Sequence, residues 1–128
     1  MRLLLDTHIL LWWLLGDPEL SATARDAIAD PRNEVFVSAA SAWEITTKFR
    51  IGKMPKAAVV AADVAGIAAQ HGFVELPITI RHGQLAGRLP GIHKDPFDRI
   101  LIAQAIAMDM PIISRDEILS AYGIARLW

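Results

Sequence analysis

The sequence predicts an α/β fold in which a central parallel sheet of four to five strands is flanked by helices. Residues 3–5 are three consecutive leucines, and a short apolar run without alternation is typical of a strand covered on both faces. Strand-like and helix-like segments then alternate along the chain, which is typical of β-α-β units. The 128 residues, of which 53% are hydrophobic, suffice for one domain over residues 1–128 with a core of its own.

Each strand and helix is predicted from its own local signal. Strands are short apolar segments bounded by turn residues, and helices are longer segments that begin at a capping residue, as Ser21 does for the second helix. The strands are predicted at residues 3–5, 35–37, 73–76 and 111–114, with an edge strand at 124–128. The helices are predicted at residues 7–15, 21–29, 41–51, 56–71, 79–89 and 95–110, with a short helix after Arg115.

Two of these helices show which side should face the core. Ile45 and Phe49 are four residues apart in the third helix, and Ile102 and Ile106 have the same spacing in the helix from residue 95. Residues at this spacing lie on one face of a helix. We therefore expect all four side chains to pack inward.

Charge and cysteine content exclude several classes of protein. A net charge of −1 provides no sequence-wide positive field, so any nucleic-acid binding has to come from a local patch. The absence of cysteine excludes disulfides, thiolate metal sites and a cysteine nucleophile, and it is compatible with a cytoplasmic location. The uninterrupted apolar run at residues 9–15 is too short to span a bilayer, so a buried helix is expected there rather than a signal peptide or a membrane anchor.

Four carboxylates stand where a strand gives way to a helix or where a helix begins: Asp6, Glu44, Asp98 and Asp116. Right-handed crossovers between parallel strands bring such helix starts to one rim of the sheet. Carboxylates that lie close together repel each other unless one is protonated, a base lies among them or a metal ion lies between them. Since all the donors are oxygens, the metal hypothesis favours Mg²⁺ or Mn²⁺, which suit phosphodiester hydrolysis.

Each of these carboxylates also has an ordinary structural interpretation. Ser41 and Glu44 have the spacing of a capping box, and Asp95 is placed as an N-cap for the helix that follows it. Asp6 and Asp116 would likewise cap the helices after them, because an acid favours the positive end of the helix dipole. Taken singly, each acid is explained as well by a cap as by a ligand, and the convergence of the set favours the metal.

Basic residues near the proposed rim are candidates for contacts with phosphate. If four of the 14 acidic residues are neutralised by metal, the other ten are outnumbered by the 13 Lys and Arg, which permits a polyanion to bind. The candidates are Lys48, Arg50, Lys53, Lys94, Arg99 and Arg115. His8 follows Asp6 closely enough to touch the site. Trp12, Trp13 and Trp43 lie in apolar helical stretches and are expected in the core or in a subunit contact.

Four short blocks of sequence carry a resemblance to a known family. They are Leu4-Leu5-Asp6-Thr7-His8, Ser41-Ala42-Trp43-Glu44-Ile45 with Lys48, Asp95-Pro96-Phe97-Asp98-Arg99, and Ile113-Ser114-Arg115-Asp116. In this order, and spread over nearly the whole chain, they resemble the PIN-domain ribonucleases. More narrowly, they look like the VapC-type toxins of bacterial and archaeal toxin–antitoxin pairs.

The resemblance implies a reaction, its residues and its partners. A similar protein would be a Mg²⁺- or Mn²⁺-dependent endoribonuclease that cuts structured RNA such as tRNA or ribosomal RNA. Position by position, the acidic quartet corresponds to Asp6, Glu44, Asp98 and Asp116, with Thr7 and Ser114 in support and Asp95 as a helix cap that assists. Similar toxins form homodimers, and each is silenced by a cognate antitoxin whose C-terminal segment covers the active site.

Two other functions stay open on the sequence alone. In a non-catalytic binding module, the carboxylates would only cap helices or meet arginines of a partner, and Arg99 and Arg115 would neutralise the cluster without metal. In a phosphatase-like α/β enzyme, Asp6 would be the nucleophile or phospho-acceptor. Haloacid-dehalogenase-type phosphatases have a second Asp two residues further on, where His8 stands here.

Overall fold

The computed structural model describes residues 1–91 and 95–128, and the centre of the molecule is a five-stranded sheet. The strands are β1 (Arg2–Leu5), β2 (Glu34–Ser38), β3 (Val74–Leu76), β4 (Ile112–Ile113) and β5 (Arg126–Leu127). Their order in the sheet is β3-β2-β1-β4-β5, and every neighbouring pair is parallel. The predicted parallel α/β fold is confirmed, with β1 in the middle of the sheet.

Helices connect the strands and cover the sheet. They are α1 (Thr7–Leu15), α2 (Ala22–Ala29), α3 (Ala39–Arg50), α4 (Ala58–Ala62), α5 (Val64–Gln70), α6 (Ile80–Arg88) and α7 (Pro96–Ala107), with 3₁₀ helices at Pro55–Ala57 and Glu117–Tyr122. Within the described ranges, none of these helices has the length and apolar character needed to cross a membrane.

The core lies on both faces of the sheet, as the consecutive leucines of β1 predict. Leu3 and Leu5 pack on one face with Ile9 of α1, while Leu4 packs on the other face with Ile102 of α7. All three leucines are at most 1% exposed. Burying one such side chain contributes about 2 kcal/mol, so β1 anchors both halves of the core.

The helix predicted at residues 56–71 is broken, and that prediction was wrong. A 3₁₀ turn leads into α4, and α5 begins after Asp63, which has a φ of −159° and a ψ of 73°. The Asp63 carboxylate accepts a hydrogen bond from the Gly66 N–H at 2.9 Å. An aspartate that caps a new helix in this way interrupts an alanine-rich segment whose composition favours one continuous helix.

Only two of the four helical side chains that were predicted to pack inward are buried. Ile45 and Ile102 are fully buried, but Phe49 and Ile106 are each 38% exposed. Both exposed side chains lie in the last turn of their helix. A four-residue step also rotates by about 40° around the helix axis, which carries these side chains away from the sheet.

Candidate active site

The register of the sheet brings two polar side chains together at the carboxyl ends of its central strands. Leu5 of β1 pairs with Ile113 of β4, so Asp6 and Ser114 leave the sheet side by side. The Asp6 N–H donates to the Ile113 carbonyl at 3.0 Å, and the Ser114 hydroxyl donates to Asp6 Oδ2 at 2.6 Å. Both side chains are buried. Ser114 therefore fixes the orientation of the Asp6 carboxylate.

Ser114 also connects this point to Asp116. Its Oγ accepts a hydrogen bond from the Asp116 N–H at 3.0 Å. The Asp116 carboxylate accepts from the Ile118 N–H at 3.1 Å and thus caps the 3₁₀ helix at Glu117–Tyr122, as predicted. Asp6 stands at the N-cap position of α1, yet within the described structure it forms no side-chain cap bond, so capping does not account for its carboxylate.

Glu44 lies inside α3, and the capping box predicted for Ser41 and Glu44 is wrong. The helix begins at Ala39, and its N-cap is Ser38, whose hydroxyl accepts from the Ala40 N–H at 3.0 Å. Ser41 is fully buried within the first turns, and its Oγ lies 2.9 Å from Oγ1 of Thr7, which is equally buried. This contact holds α3 against the start of α1, one turn before Glu44.

The start of α7 carries the last two acids. Asp95 is its N-cap, as predicted, and Asp95 Oδ1 accepts from the N–H groups of Phe97 at 2.9 Å and Asp98 at 3.3 Å. The Phe97 ring meets the Trp43 ring of α3 edge-on, with 4.7 Å between centroids. Since Trp43 precedes Glu44 and Phe97 precedes Asp98, this ring contact fixes the two acid-bearing helices relative to each other.

These elements enclose a cavity of about 360 Å³, called the acidic cavity below. Its lining residues are Asp6, His8, Ile9, Trp12, Glu44, Asp95, Asp98, Arg115 and Asp116. All four acids of the predicted quartet, together with Asp95, thus meet in one place, although they are far apart in the chain. His8, which the sequence placed near the site, is among the lining residues.

The chain matches the PIN domain family over residues 3–125, which is almost its whole length. It belongs to the PIN domain family. The four sequence blocks that resemble this family therefore lie within a true member, and the acidic cavity stands at the carboxyl end of its parallel sheet.

Individual relatives show how far the likeness extends. Ribonuclease VapC16 of Mycobacterium tuberculosis is 36% identical over 75 residues, which are 56% of this chain and 52% of that protein. The chain thus spans about half the length of the curated relative that it matches. Among solved structures, Rickettsia felis VapBC2, bound to a DNA fragment from its promoter, has a TM-score of 0.72 at 12% identity over 98% of this chain and 97% of that chain.

A second solved structure, Mycobacterium tuberculosis VapC20, is described as a toxin that cleaves the sarcin–ricin loop. Its TM-score to this PIN domain is 0.70 at 20% identity, over 96% of each chain. At these identities, the likeness to both solved structures concerns the fold.

Burial raises the pKa of Asp6 above its ordinary value of 3.8. The hydrogen bond from Ser114 and the charge of His8 act in the opposite direction, whereas the negative charge of Glu44 raises the pKa further. In the acidic cavity of this PIN domain, the Asp6 carboxylate is thus destabilised mainly by burial, and the charge of Glu44 adds to this effect. A bound cation would remove that penalty.

Glu44, unlike Asp6, is paired with a basic side chain. Its side chain is only 2% exposed, and its Oε2 forms an ion pair with Lys48 Nζ, one turn further along α3. Its Oε1 is buried and lacks a hydrogen-bond partner among the described residues. Burial opposes the charge of Lys48, but Glu44, with smaller contributions from Asp95 and Asp98, raises the pKa of Lys48 above its ordinary value.

The donors at the cavity suit a hard divalent cation, for two reasons. They are carboxylate oxygens, the ligands that Mg²⁺ and Mn²⁺ prefer, and Glu44 Oε1 is a buried acceptor with spare capacity. As the side chains stand, no three His, Asp or Glu residues among residues 1–91 and 95–128 are grouped closely enough to chelate one ion. Metal binding would therefore require some of these side chains to turn, and Glu44 is the one held by a competing cation.

The predicted phosphate contacts lie in different surroundings. Arg115 lines the acidic cavity, pairs with Glu19 and lies over the Trp12 ring at 5.6 Å. Arg99 donates to the carbonyl oxygens of Ala86 and Leu89 at the end of α6. These bonds hold the start of α7 against the end of α6, and a phosphate contact of Arg99 stays a prediction.

Two of the other candidates, Lys48 and Lys53, lie beside the acidic cavity. Lys48 and Lys53 line a second cavity of about 530 Å³ together with Lys56, and we call this the basic groove. His8 and Trp12 line both the acidic cavity and the basic groove. Arg50 is exposed at the end of α3, and Lys94 lies outside the described residues.

Sequence reasoning missed three features of this site. The role of Ser41 as a buried contact of Thr7 was hidden because its spacing to Glu44 imitates a capping box. Glu44 and Lys48 are four residues apart, a spacing that signals an ion pair on a helix and could have revealed their contact. Trp43 was expected in the core or in a subunit contact, but it is 56% exposed within this chain, so the core interpretation is wrong.

Proposed function

We propose that this PIN domain is a metal-dependent endoribonuclease of the VapC toxin type. The observation that carries the proposal is the convergence of Asp6, Glu44, Asp98 and Asp116 on one cavity at the end of a parallel sheet. The name of the matching curated relative, a ribonuclease, supports the same reaction.

In this proposal, Mg²⁺ or Mn²⁺ is held by Asp6, Glu44, Asp98 and Asp116. The ion would supply an activated water and would stabilise the negative charge that develops on the phosphate and on the departing oxygen. The chain's own residues position these ligands. The Ser114 hydroxyl orients Asp6 directly. Thr7 holds α3, and hence Glu44, through Ser41.

RNA is the substrate class that the surroundings of the cavity favour. The basic groove, lined by Lys48, Lys53 and Lys56, shares His8 and Trp12 with the acidic cavity. A phosphate backbone that lies along the groove would place a neighbouring phosphodiester at the carboxylates. We infer a structured RNA, such as tRNA or ribosomal RNA, because the family resemblance points to these substrates and because a VapC20 structure with this fold is described as cleaving the sarcin–ricin loop.

Solved structures with this fold support an antitoxin as a partner. Solved structures with this fold include the complexes VapBC2, FitAB bound to DNA and VapBC-1. We propose that this protein, too, has a cognate antitoxin, that it forms a homodimer and that it acts in the cytoplasm. Co-expression with the product of a short neighbouring reading frame, followed by co-purification, tests the antitoxin.

Purified protein incubated with total tRNA and ribosomal RNA in Mn²⁺ or Mg²⁺ tests the nuclease. We expect Asp6→Asn and Asp98→Asn to cut at least about a hundredfold more slowly than wild type, because the loss of a metal ligand removes several kcal/mol of transition-state stabilisation. The control is Asp26→Asn, an exposed carboxylate on α2. Cleavage by both site variants at the wild-type rate would refute the assignment.

A non-catalytic binding module is the second candidate, and one contact favours it. Lys48 already pairs with Glu44, so the acids are partly neutralised without a metal. Calorimetry with Mn²⁺ separates the two functions, because a binding module would show neither heat of binding nor thermal stabilisation by millimolar metal.

A further inference from the structure

We propose that the Lys48 ammonium is a built-in counter-cation of the acidic cavity, which holds Glu44 in the metal-free protein and leaves it when a divalent ion binds. Lys48 is then a positioning residue that competes with the metal for one ligand. The proposal rests on the metal-dependent function proposed above.

The Lys48 ammonium contacts residues of the two helices, α3 and α7, that carry acids of the cavity. Its Nζ pairs with Glu44 Oε2 and stands over the Phe97 ring, 5.9 Å from the centroid. Asp95 and Asp98, at the start of α7, also act electrostatically on this ammonium. One lysine is thus attracted by acids from two helices that line the acidic cavity.

Glu44 needs such a partner. A carboxylate that is 2% exposed is strongly destabilising when its charge has no counter-charge. Lys48 neutralises this charge but binds only Oε2, while Oε1 is left without a hydrogen bond in the described part of the chain. Within the residues that the structure describes, only one of the two Glu44 carboxylate oxygens is therefore paired, and the other oxygen is available to a second cation.

A divalent ion and the ammonium cannot both remain close to Glu44 at low cost. Two like charges within a few ångströms of each other repel in a partly buried site. The Lys48 side chain is 25% exposed and also lines the basic groove, so it has a solvated position to which it can move. Metal binding should hence carry the cost of breaking the Lys48–Glu44 pair.

The first experiment is titration calorimetry with Mn²⁺ alone on the full chain. We expect Lys48→Met to bind Mn²⁺ about fivefold or more tightly than wild type, since no cation has to be displaced. The control is Lys53→Met, which removes an exposed cation of the same groove and should bind Mn²⁺ as wild type does. In EDTA, Lys48→Met should also melt at a lower temperature than wild type.

A second measurement needs no variant, in case Lys48→Met does not fold. Acetic anhydride labels lysines in proportion to their free, exposed amine, and mass spectrometry reads each site. We expect Mn²⁺ to increase the labelling of Lys48 several-fold relative to Lys53 in the same wild-type sample.

The outcomes separate the two proposals. If wild type binds Mn²⁺ but Lys48→Met binds it no more tightly, or if Mn²⁺ leaves the labelling of Lys48 unchanged or lower, the displacement of Lys48 is wrong and the metal site stands. If wild type shows no Mn²⁺ binding, the metal-dependent function fails and the displacement of Lys48 fails with it.

Discussion

At the scale of single residues, the acidic cavity stabilises its two buried carboxylates in different ways. The Asp6 carboxylate accepts a hydrogen bond from the Ser114 hydroxyl, and the Glu44 carboxylate forms an ion pair with the Lys48 ammonium. A neutral hydroxyl offsets only part of the cost of burying a charge, which is why the pKa of Asp6 is still raised by burial and by Glu44. The metal-free site therefore lowers the stability of the fold at the position where the proposed metal ion binds.

Asp6→Asn should increase the stability of the metal-free protein, although the same variant is expected to slow cleavage. Because the pKa of Asp6 is raised in the folded state, its contribution to stability is greatest when it is protonated and is lost as the pH rises above the ordinary value of 3.8. The amide oxygen of asparagine can still accept the hydrogen bond from Ser114. We expect a higher Tm than wild type in EDTA at neutral pH.

Thermal melts of both proteins from pH 4 to pH 8 in EDTA check this expectation. The difference in Tm between Asp6→Asn and wild type should grow with pH. The Tm of Asp26→Asn, which replaces an exposed carboxylate, should match that of wild type at every pH. An equal or lower Tm for Asp6→Asn at neutral pH would contradict the inference that burial of the charged Asp6 side chain destabilises the fold.

At the scale of elements, α3 organises the site. It begins at the end of β2, contacts α1 through Ser41 and Thr7, and contacts α7 through Trp43 and Phe97. Glu44 follows both contact residues in the sequence, directly after Trp43. The position of Glu44 therefore depends on how the side chains of α3 pack against two neighbouring helices, and the cap of α3 does not involve it.

The Trp43–Phe97 contact should contribute measurably to the docking of α7 on α3. A double-mutant cycle with Trp43→Ala, Phe97→Ala and the double variant should give a coupling free energy of about 1 kcal/mol in urea denaturation, since an edge-to-face pair contributes about that much beyond buried area. The control cycle pairs Phe97→Ala with Trp13→Ala on α1, and its coupling should be near zero. Additive losses for Trp43 and Phe97 would show that the rings touch without coupling the helices.

At the scale of the whole molecule, charge is segregated although the net charge is only −1. Five acids line one cavity, and Lys48, Lys53 and Lys56 line the groove beside it. A polyanion would be repelled by the metal-free cavity and attracted by the groove. Metal binding in the cavity would remove the repulsion, so metal and RNA should favour each other.

Removing two groove lysines should weaken RNA binding in a salt-dependent way. In an Asp98→Asn background, which prevents cleavage, Lys53→Met with Lys56→Met should lower the slope of log Kd against log salt by about 1.4, or about 0.7 for each lost contact with single-stranded RNA. Filter binding between low and moderate salt measures the slope. The control is Arg25→Met on α2, which removes an exposed cation that lines neither the groove nor the acidic cavity. If Arg25→Met lowered the slope as much, the groove would have no special role in RNA binding.

Asp6, Asp98 and Asp116 were identifiable from the sequence because each lies where a strand meets a helix or at a helix start, and parallel topology brings such points to one rim. Glu44 lies inside α3, further from the helix start than the sequence predicted. Asp95 was predicted as a cap, and the structure confirms it. The contacts between helices were not predictable in this way. The spacing of Ser41 favours a cap, but its hydroxyl contacts Thr7 of α1. Trp43 was expected in the core or in a subunit contact, and its ring contacts Phe97 of α7.

The sequence by itself determined the parallel sheet, the central place of β1 and the set of acids at its rim, because apolar runs, turn residues and right-handed crossovers are local or general rules. Only the tertiary structure decided which groups stabilise those acids. Ser114 reaches Asp6 because Leu5 pairs with Ile113, and that register joins residues from opposite ends of the chain. Interactions of this kind depend on distances between elements, which no pattern within one segment contains.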